Sequence, residues 1–222
     1  MPYYISPNAG AVEQNEKYIG RFGKKAAVYN LMQQTVNAYN QDIGITSGYE
    51  PYDVYSGLEV DPEVSTQTVN DVVFYLQTLK APIQRDQKGE SVLEGKELFI
   101  QIGCEDCHKQ TFKTGISSVL SLSNKEFHPY TDLLLHDMGP GLDDGYTEGS
   151  AKTFEWRTPP LWGLGLSPNS QGGSYYLMHD GRAQSIEEAI LMHGGEAEQS
   201  KNSFQQLTAT DKAKLIKFLE SL

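Results

Sequence analysis

The residues best able to do chemistry are Cys104, Cys107 and His108, in the run Cys104-Glu105-Asp106-Cys107-His108. Two thiols on one tight turn can add across the two vinyl groups of a single porphyrin, and the next residue then supplies an imidazole to the iron. The expected cofactor is therefore one covalently attached c-type haem, with His108 as a metal ligand. Two rival chemistries use the same residues. Zinc would find three ligands at most here, whereas a structural zinc takes four, usually as two separated pairs. A thioredoxin-like dithiol sits between a strand and a helix, and no strand-like segment precedes Cys104. The chain holds only two cysteines, so a disulfide framework is excluded.

An iron held by His108 has a second axial position. The side chains able to fill it are His128, His136, His179, His193, Met138, Met178 and Met192. Ser185 and Glu188 form an S-x-x-E capping box opening a helix from Ser185 to His193. Ile186, Ala189, Ile190 and His193 fall on one face of it, so His193 extends the apolar stripe. Met192 is turned about 100° away. The bland alternative is a polar residue near a helix C-terminus, stabilised by the helix dipole. Met138, in Asp-Met-Gly-Pro, is the runner-up ligand.

The elements that must position this chemistry are mostly helical. Periodicity predicts helices over Lys24–Gln41, ended by Gly44, and over Ser65–Leu79, with Val69, Val72, Val73 and Leu76 on one face. Residues 1–20 read as irregular around Ser6-Pro7-Asn8. Pro82 to Gly89 reads as a polar linker. A third helix, Ser91–Ile102, presents Gly95, Leu98, Phe99 and Ile102. Glycine inside a helix costs about 1 kcal/mol relative to alanine, and the usual compensation is close approach of another backbone. The last helix starts near Thr208, with Asp211 at the capping position and Leu215, Phe218, Leu219 and Leu222 inward. These two helices crossing at Gly95 would bury a haem edge. Between them, Lys109 to Gln184 is rich in Gly, Pro, Asp and aromatics, with a short helical piece expected over Thr131–His136. No strand alternation persists, so the expected class is all-α. The expected architecture is a cytochrome c-like haem domain over 90–222, with long irregular loops and an N-terminal helical extension over 1–82.

Several longer strings carry a family resemblance. They are Cys104–His108; His128-Pro-Tyr-Thr-Asp-Leu-Leu-Leu-His-Asp-Met-Gly-Pro-Gly-Leu142; Glu155-Trp-Arg-Thr-Pro-Pro-Leu-Trp-Gly-Leu164; His179-Asp-Gly-Arg182; and Ser185-Ile-Glu-Glu-Ala-Ile-Leu-Met-His-Gly-Gly-Glu-Ala197. Through them residues 91–222 resemble the C-terminal haem domain of the bacterial di-haem oxidoreductases, peroxidase-like relatives of di-haem cytochrome c peroxidase. Residues 20–45 resemble the region that joins that family's two haem domains. The departure is that the family has a second C-x-x-C-H, in an N-terminal domain, and this chain has none. Ser65–Leu79 looks like the tail of that domain. The resemblance implies that His193 stands where the relatives place an axial methionine, which gives bis-histidine iron. His179 is expected beside the haem as a partner of a propionate, and Arg182 as a guanidinium pairing with one. Arg157 is a weaker candidate for that pairing. Trp156, Trp162, Tyr175 and Tyr176 are expected in the core rather than as electron relays.

These readings leave two functions in contention. With His108 and His193 both on iron no position is open to peroxide, and the domain carries single electrons to a redox partner protein or a second haem domain. With His193 off the iron it is a peroxidase reducing hydrogen peroxide, with His179, Glu155 or Asp137 as the acid–base group. No catalytic residue is assigned beyond these candidates. The net charge of -11 argues against nucleic acid and anionic lipid as partners, and no apolar stretch is long enough to span a membrane. Covalent haem attachment belongs to the export side of a bacterium, so a periplasmic or exported setting is expected, with the export signal outside this numbering.

Overall fold

The computed structural model describes residues 13–15 and 17–222. The irregular start expected around Ser6-Pro7-Asn8 lies outside the described residues. The chain divides into two compact units, one up to Lys80 and one from Ala81 to Leu222.

In the first unit, strands β1 (Glu13–Gln14) and β2 (Lys17–Tyr18) pair antiparallel. Helix α1 (Leu31–Asn37) runs on through a wider π turn, Ala38–Asp42. It starts later than the periodicity predicts. Gly23 and Ala26 both hold positive φ, Phe22 bridges to Val28, and the helix opens only where the Asn30 side chain accepts the Gln33 N–H at 2.7 Å. Gly44, with φ +70°, follows its end as expected. Helix α2 (Thr66–Thr78) forms where predicted, capped by Ser65. Val36 of α1 packs against Val69 and Val73 of α2.

The second unit opens on helix α3 (Glu90–Gln101) and closes on helix α7 (Ala209–Ser221). The α7 start is the predicted cap: Thr208 Oγ1 accepts the Asp211 N–H at 3.1 Å and donates to Asp211 Oδ2 at 2.8 Å. The two helices cross at Gly95, where a Cβ would collide with the Lys214 carbonyl and lie 2.8 Å from the Phe218 Cβ. Phe99, Phe218 and Tyr130 fill the space behind the crossing, with Phe99 and Phe218 edge to face at 5.4 Å. The segment read as a linker is tied to the end of α7: Arg85 N–H donates to the Ser221 carbonyl at 2.8 Å, and Gln84 Nε2 to Ser221 Oγ at 2.9 Å.

The expected all-α class is not what forms. Between α3 and α7 lie β3 (Phe112–Lys113) with β4 (Glu126–Phe127), and β5 (Leu135–Asp137) with β6 (Glu155–Arg157). Both pairs are antiparallel, and with β1–β2 they make the chain mixed α/β. The helical piece expected over Thr131–His136 is instead an extended segment. Leu133 adopts φ +62°, which no helix tolerates, and His136 pairs with Trp156 across the ladder. Strands of two or three residues are too short to display an alternation of period two. Helices α4 (Ser167–Ser170), α5 (Ile186–Leu191) and α6 (Glu198–Gln206) complete the unit. The α6 helix, with a fully buried Phe204 and an otherwise polar sequence, is absent from the sequence reading. Among the described residues no helix is long and apolar enough to cross a membrane.

Candidate haem site

Helix α3 stops at Gly103, whose φ of +83° turns the chain into a 3-10 turn, Cys104–Asp106. His108 N–H closes that turn on the Cys104 carbonyl at 3.0 Å. Both thiols are free. Burial pushes Cys104 up to about 12 and Cys107 up to about 11. A redox dithiol works with a thiol lowered toward neutrality, and the thioredoxin-like motif follows a strand, whereas here burial acts the other way and the turn follows helix α3.

The His108 ring enters the aromatic cluster, 6.3 Å from Phe99 between centroids. Its Nδ1 lies 2.9 Å from the Tyr130 carbonyl. A carbonyl only accepts, so the proton sits on Nδ1 and the Nε2 lone pair is left free. Burial drives the ring down to about 4, outweighing that hydrogen bond. A neutral imidazole with a fixed tautomer is the form a metal ligand needs.

His193 repeats this arrangement from another element. The α5 helix opens on Ser185, whose side chain accepts the Glu188 N–H at 3.1 Å. The Glu188 carboxylate reaches back one residue further than a capping box requires, to Gln184 N–H at 2.7 Å. His193 follows the helix end, and its Nδ1 lies 2.7 Å from the Ala189 carbonyl. Burial again lowers its pKa. His193 is also among the charges that depress His108, so the two rings are electrostatic neighbours. Both residues are surrounded by protein and only partly exposed. Beside His193 is a cavity of about 270 Å³, lined by Met138, Gly139, Leu191, Met192 and Lys201 among others. Two thiols on one turn and two neutral imidazoles, each with Nε2 unengaged among the described residues and His193 lining the cavity, are a donor set that fits a haem.

The remaining histidine, arginine and carboxylate candidates have other partners. His136 is bound at both nitrogens: Nδ1 to Glu196 Oε2 and Nε2 to Asp132 Oδ2, each at 2.8 Å. His128 is exposed, with Nδ1 2.9 Å from Thr111 Oγ1. His179 stacks on Trp156 at 3.6 Å and 16°, while Trp156 Nε1 donates to the Leu142 carbonyl at 2.7 Å. Arg182 is exposed and pairs with Asp180 at 2.6 Å. Arg157 donates to the Thr158 carbonyl at 3.2 Å. Glu155 and Asp137, the acid–base candidates, accept backbone N–H bonds from Lys152 and Gly139. Trp156 is buried as expected, whereas Tyr176 is 52% exposed and is no core residue.

The three ligands of the zinc alternative are not gathered. Among the described residues the metal-type cluster at Cys107 is instead Cys107, Asp132 and His136, with ligand atoms within 4.8 Å of one another. Sequence reasoning missed the Tyr130 and Ala189 carbonyls, which are backbone and carry no residue signal. It also missed the pairing of His136 with Glu196, 60 positions apart.

That pairing gives a pH prediction. Burial opposes charge on His136, but its bonds to Glu196 and Asp132 raise its pKa above 6.5. Burial likewise raises Asp132, and is outweighed by hydrogen bonds from Leu134, His136 and Thr158, which leave it below 3.8. Glu196 is held below 4.5, first by His136. The His136 contribution is complete below pH 6.5 and fades as pH rises through its elevated folded value. The carboxylate contribution is complete above their unfolded range and fades as pH falls through their depressed values. Stability is expected to plateau at weakly acidic pH. H136Q is expected to cost about 2 kcal/mol on that plateau and to flatten the alkaline limb, read from urea midpoints between about pH 5 and 9.

Residues 5–222 match the family described as "Di-haem oxidoreductase, putative peroxidase", and the chain belongs to that family. No curated protein matches it. Among solved structures it is similar to a hydrazine synthase from Kuenenia stuttgartiensis pressurised with 20 bar xenon, with 17% identity and a TM-score of 0.43. The alignment covers 79% of this chain and 60% of that one, so the chain spans less than two thirds of that structure's length.

Proposed function

We propose that the chain carries one haem c bound through Cys104 and Cys107, with His108 and His193 as its axial ligands, and that it transfers single electrons within a peroxidase-like system. The family name speaks of two haems, while the sequence offers one C-x-x-C-H. The second haem of the working system then resides on a partner protein or a further domain, and residues 1–82 correspond to the tail of such a domain. The observation that carries the reading is the matched pair of histidines, each with Nδ1 committed to a backbone carbonyl.

When bound, haem supplies the one-electron chemistry. The chain's own residues fix the rest. The Tyr130 and Ala189 carbonyls hold the two tautomers, and the Phe99, Tyr130 and Phe218 rings exclude water on the His108 side. His179 and Arg182 would face the haem periphery, though each first keeps its partner, Trp156 or Asp180. Two nitrogen ligands set a lower potential than a His/Met pair. The setting is periplasmic or exported, where the attachment chemistry is carried out.

Intact-mass and visible spectra of the matured chain test the reading. A covalent mass gain of one haem and a low-spin ferric spectrum without a methionine charge-transfer band are expected. In C104A/C107A the covalent gain is expected to vanish. A colourless wild-type chain of unmodified mass would defeat the proposal, and a high-spin spectrum responsive to azide would favour the open-site peroxidase.

A further inference from the structure

The segment that supplies the Tyr130 carbonyl is pinned at several points. Thr131 Oγ1 donates to the Thr158 carbonyl at 2.6 Å, and Leu133 N–H returns to Thr131 Oγ1 at 2.9 Å. Two residues beyond Tyr130, Asp132 binds His136 Nε2. On the other side, Glu196 lies three residues beyond His193 and binds His136 Nδ1 through one oxygen. Its other oxygen takes the Asp137 N–H at 3.0 Å. The backbones meet at the same place. A Cβ on Gly194 would lie 2.9 Å from the Met138 carbonyl, and one on Gly195 would collide with the Asp137 carbonyl.

Carboxylates accept and do not donate, so an imidazole bonded to one at each nitrogen carries both protons. His136 is thus an imidazolium, with side-chain exposure of 17%, against 11% for Asp132 and 54% for Glu196. Its position is unusual in what it joins. One bond reaches the loop whose carbonyl orients His108, and the other reaches the loop that follows His193.

We propose that His136 is a positioning residue that clamps the His193 loop to the His108-orienting loop through Glu196 and Asp132, and so holds both axial histidines in register. The inference rests on the bis-histidine reading above. Charge-assisted bonds are stronger than neutral ones, and two of the three groups here are largely buried. Of the two arms, Glu196 is the more exposed, and the β5–β6 ladder keeps its own pairing, so cutting that arm is expected to act mainly on the His193 loop.

The test uses the haem-loaded protein and compares ferric spectra and azide titrations of wild type, E196Q, H136Q, the double variant and E94Q. E94Q removes the Glu94–Lys214 ion pair of 2.9 Å between α3 and α7 and serves as a control. E196Q and H136Q are each expected to raise the high-spin, azide-binding fraction about 5-fold or more. The double variant should be no worse than the stronger single, because both cut the same link, and E94Q should match wild type. A low-spin wild type with E196Q and H136Q equally low-spin and azide-silent overturns the clamp alone. A high-spin wild type overturns the bis-histidine reading, and the clamp with it. H136Q failing to mature leaves the surface variant E196Q to decide.

Discussion

With His108 and His193 as the proposed axial pair, His193→Ala is expected to convert a low-spin ferric site closed to azide and cyanide into a high-spin one that takes them up. The expectation follows from the lone pair count. His193 spends Nδ1 on Ala189 at 2.7 Å, burial keeps the ring neutral, and Nε2 has no partner among the described residues. Truncation removes a ligand and leaves space that a small anion can enter. His193→Met is the graded version. It keeps six-coordination, and is expected to raise the reduction potential by on the order of 0.1 V, part of the about 0.8 V that axial ligands span. Spectroelectrochemistry reads the shift directly. If His193→Ala stays low-spin and azide-silent, another side chain fills the position. Met138, which lines the same cavity, is then the next residue to replace.

The sequence could expose this pair of histidines only unevenly. Cys104, Cys107 and His108 fall within five consecutive residues, so their spacing alone makes them candidates for haem attachment. His193 needed a helical stripe plus a resemblance, and it lies just past the end of α5 rather than within it. What orients both rings is backbone, the Tyr130 and Ala189 carbonyls, and main-chain acceptors leave no trace in residue type. His136 shows the converse failure. It stands in a conspicuous string, but its role depends on Glu196, and only the closed fold brings the two together.

The same division runs through the elements. Helices α2, α3 and α7 are long enough for their 3.6-residue stripes to show, and their caps at Ser65 and Thr208 are chemical signals. The β5–β6 ladder spans three residues a side. Leu133 and Tyr130 enter the left-handed region without being glycine, which no propensity would suggest. There the tertiary bonds of Thr131, Asp132 and His136 decide the backbone against local preference. The all-α expectation failed in this stretch, where long-range contacts outweigh periodicity.

Gly95 carries the largest stability prediction. Alanine at a helical glycine ordinarily gains about 1 kcal/mol. At Gly95 the new methyl would strike the Lys214 carbonyl and press on the Phe218 Cβ. A backbone carbonyl within a helix cannot step aside as a flexible side chain can, so α3 and α7 must separate. Overpacking of this kind costs about 1–3 kcal/mol and occasionally more, and the cost should exceed the propensity gain. A net loss near 2 kcal/mol corresponds to a melting temperature lower by roughly 4–8 °C for a unit of this size. Gly95→Val adds a second methyl and a stiff χ1, and is expected to prevent haem maturation outright by pulling Phe99 and Phe218 apart. Gly115 provides the contrast, since a Cβ there meets nothing within 4 Å, and Gly115→Ala should melt within about 0.5 kcal/mol of wild type. Thermal melts of the haem-loaded variants distinguish the cases. An unchanged melting temperature for Gly95→Ala would mean that the helices have slack at the crossing, and that the glycine is not what lets α3 and α7 close behind the His108 ring.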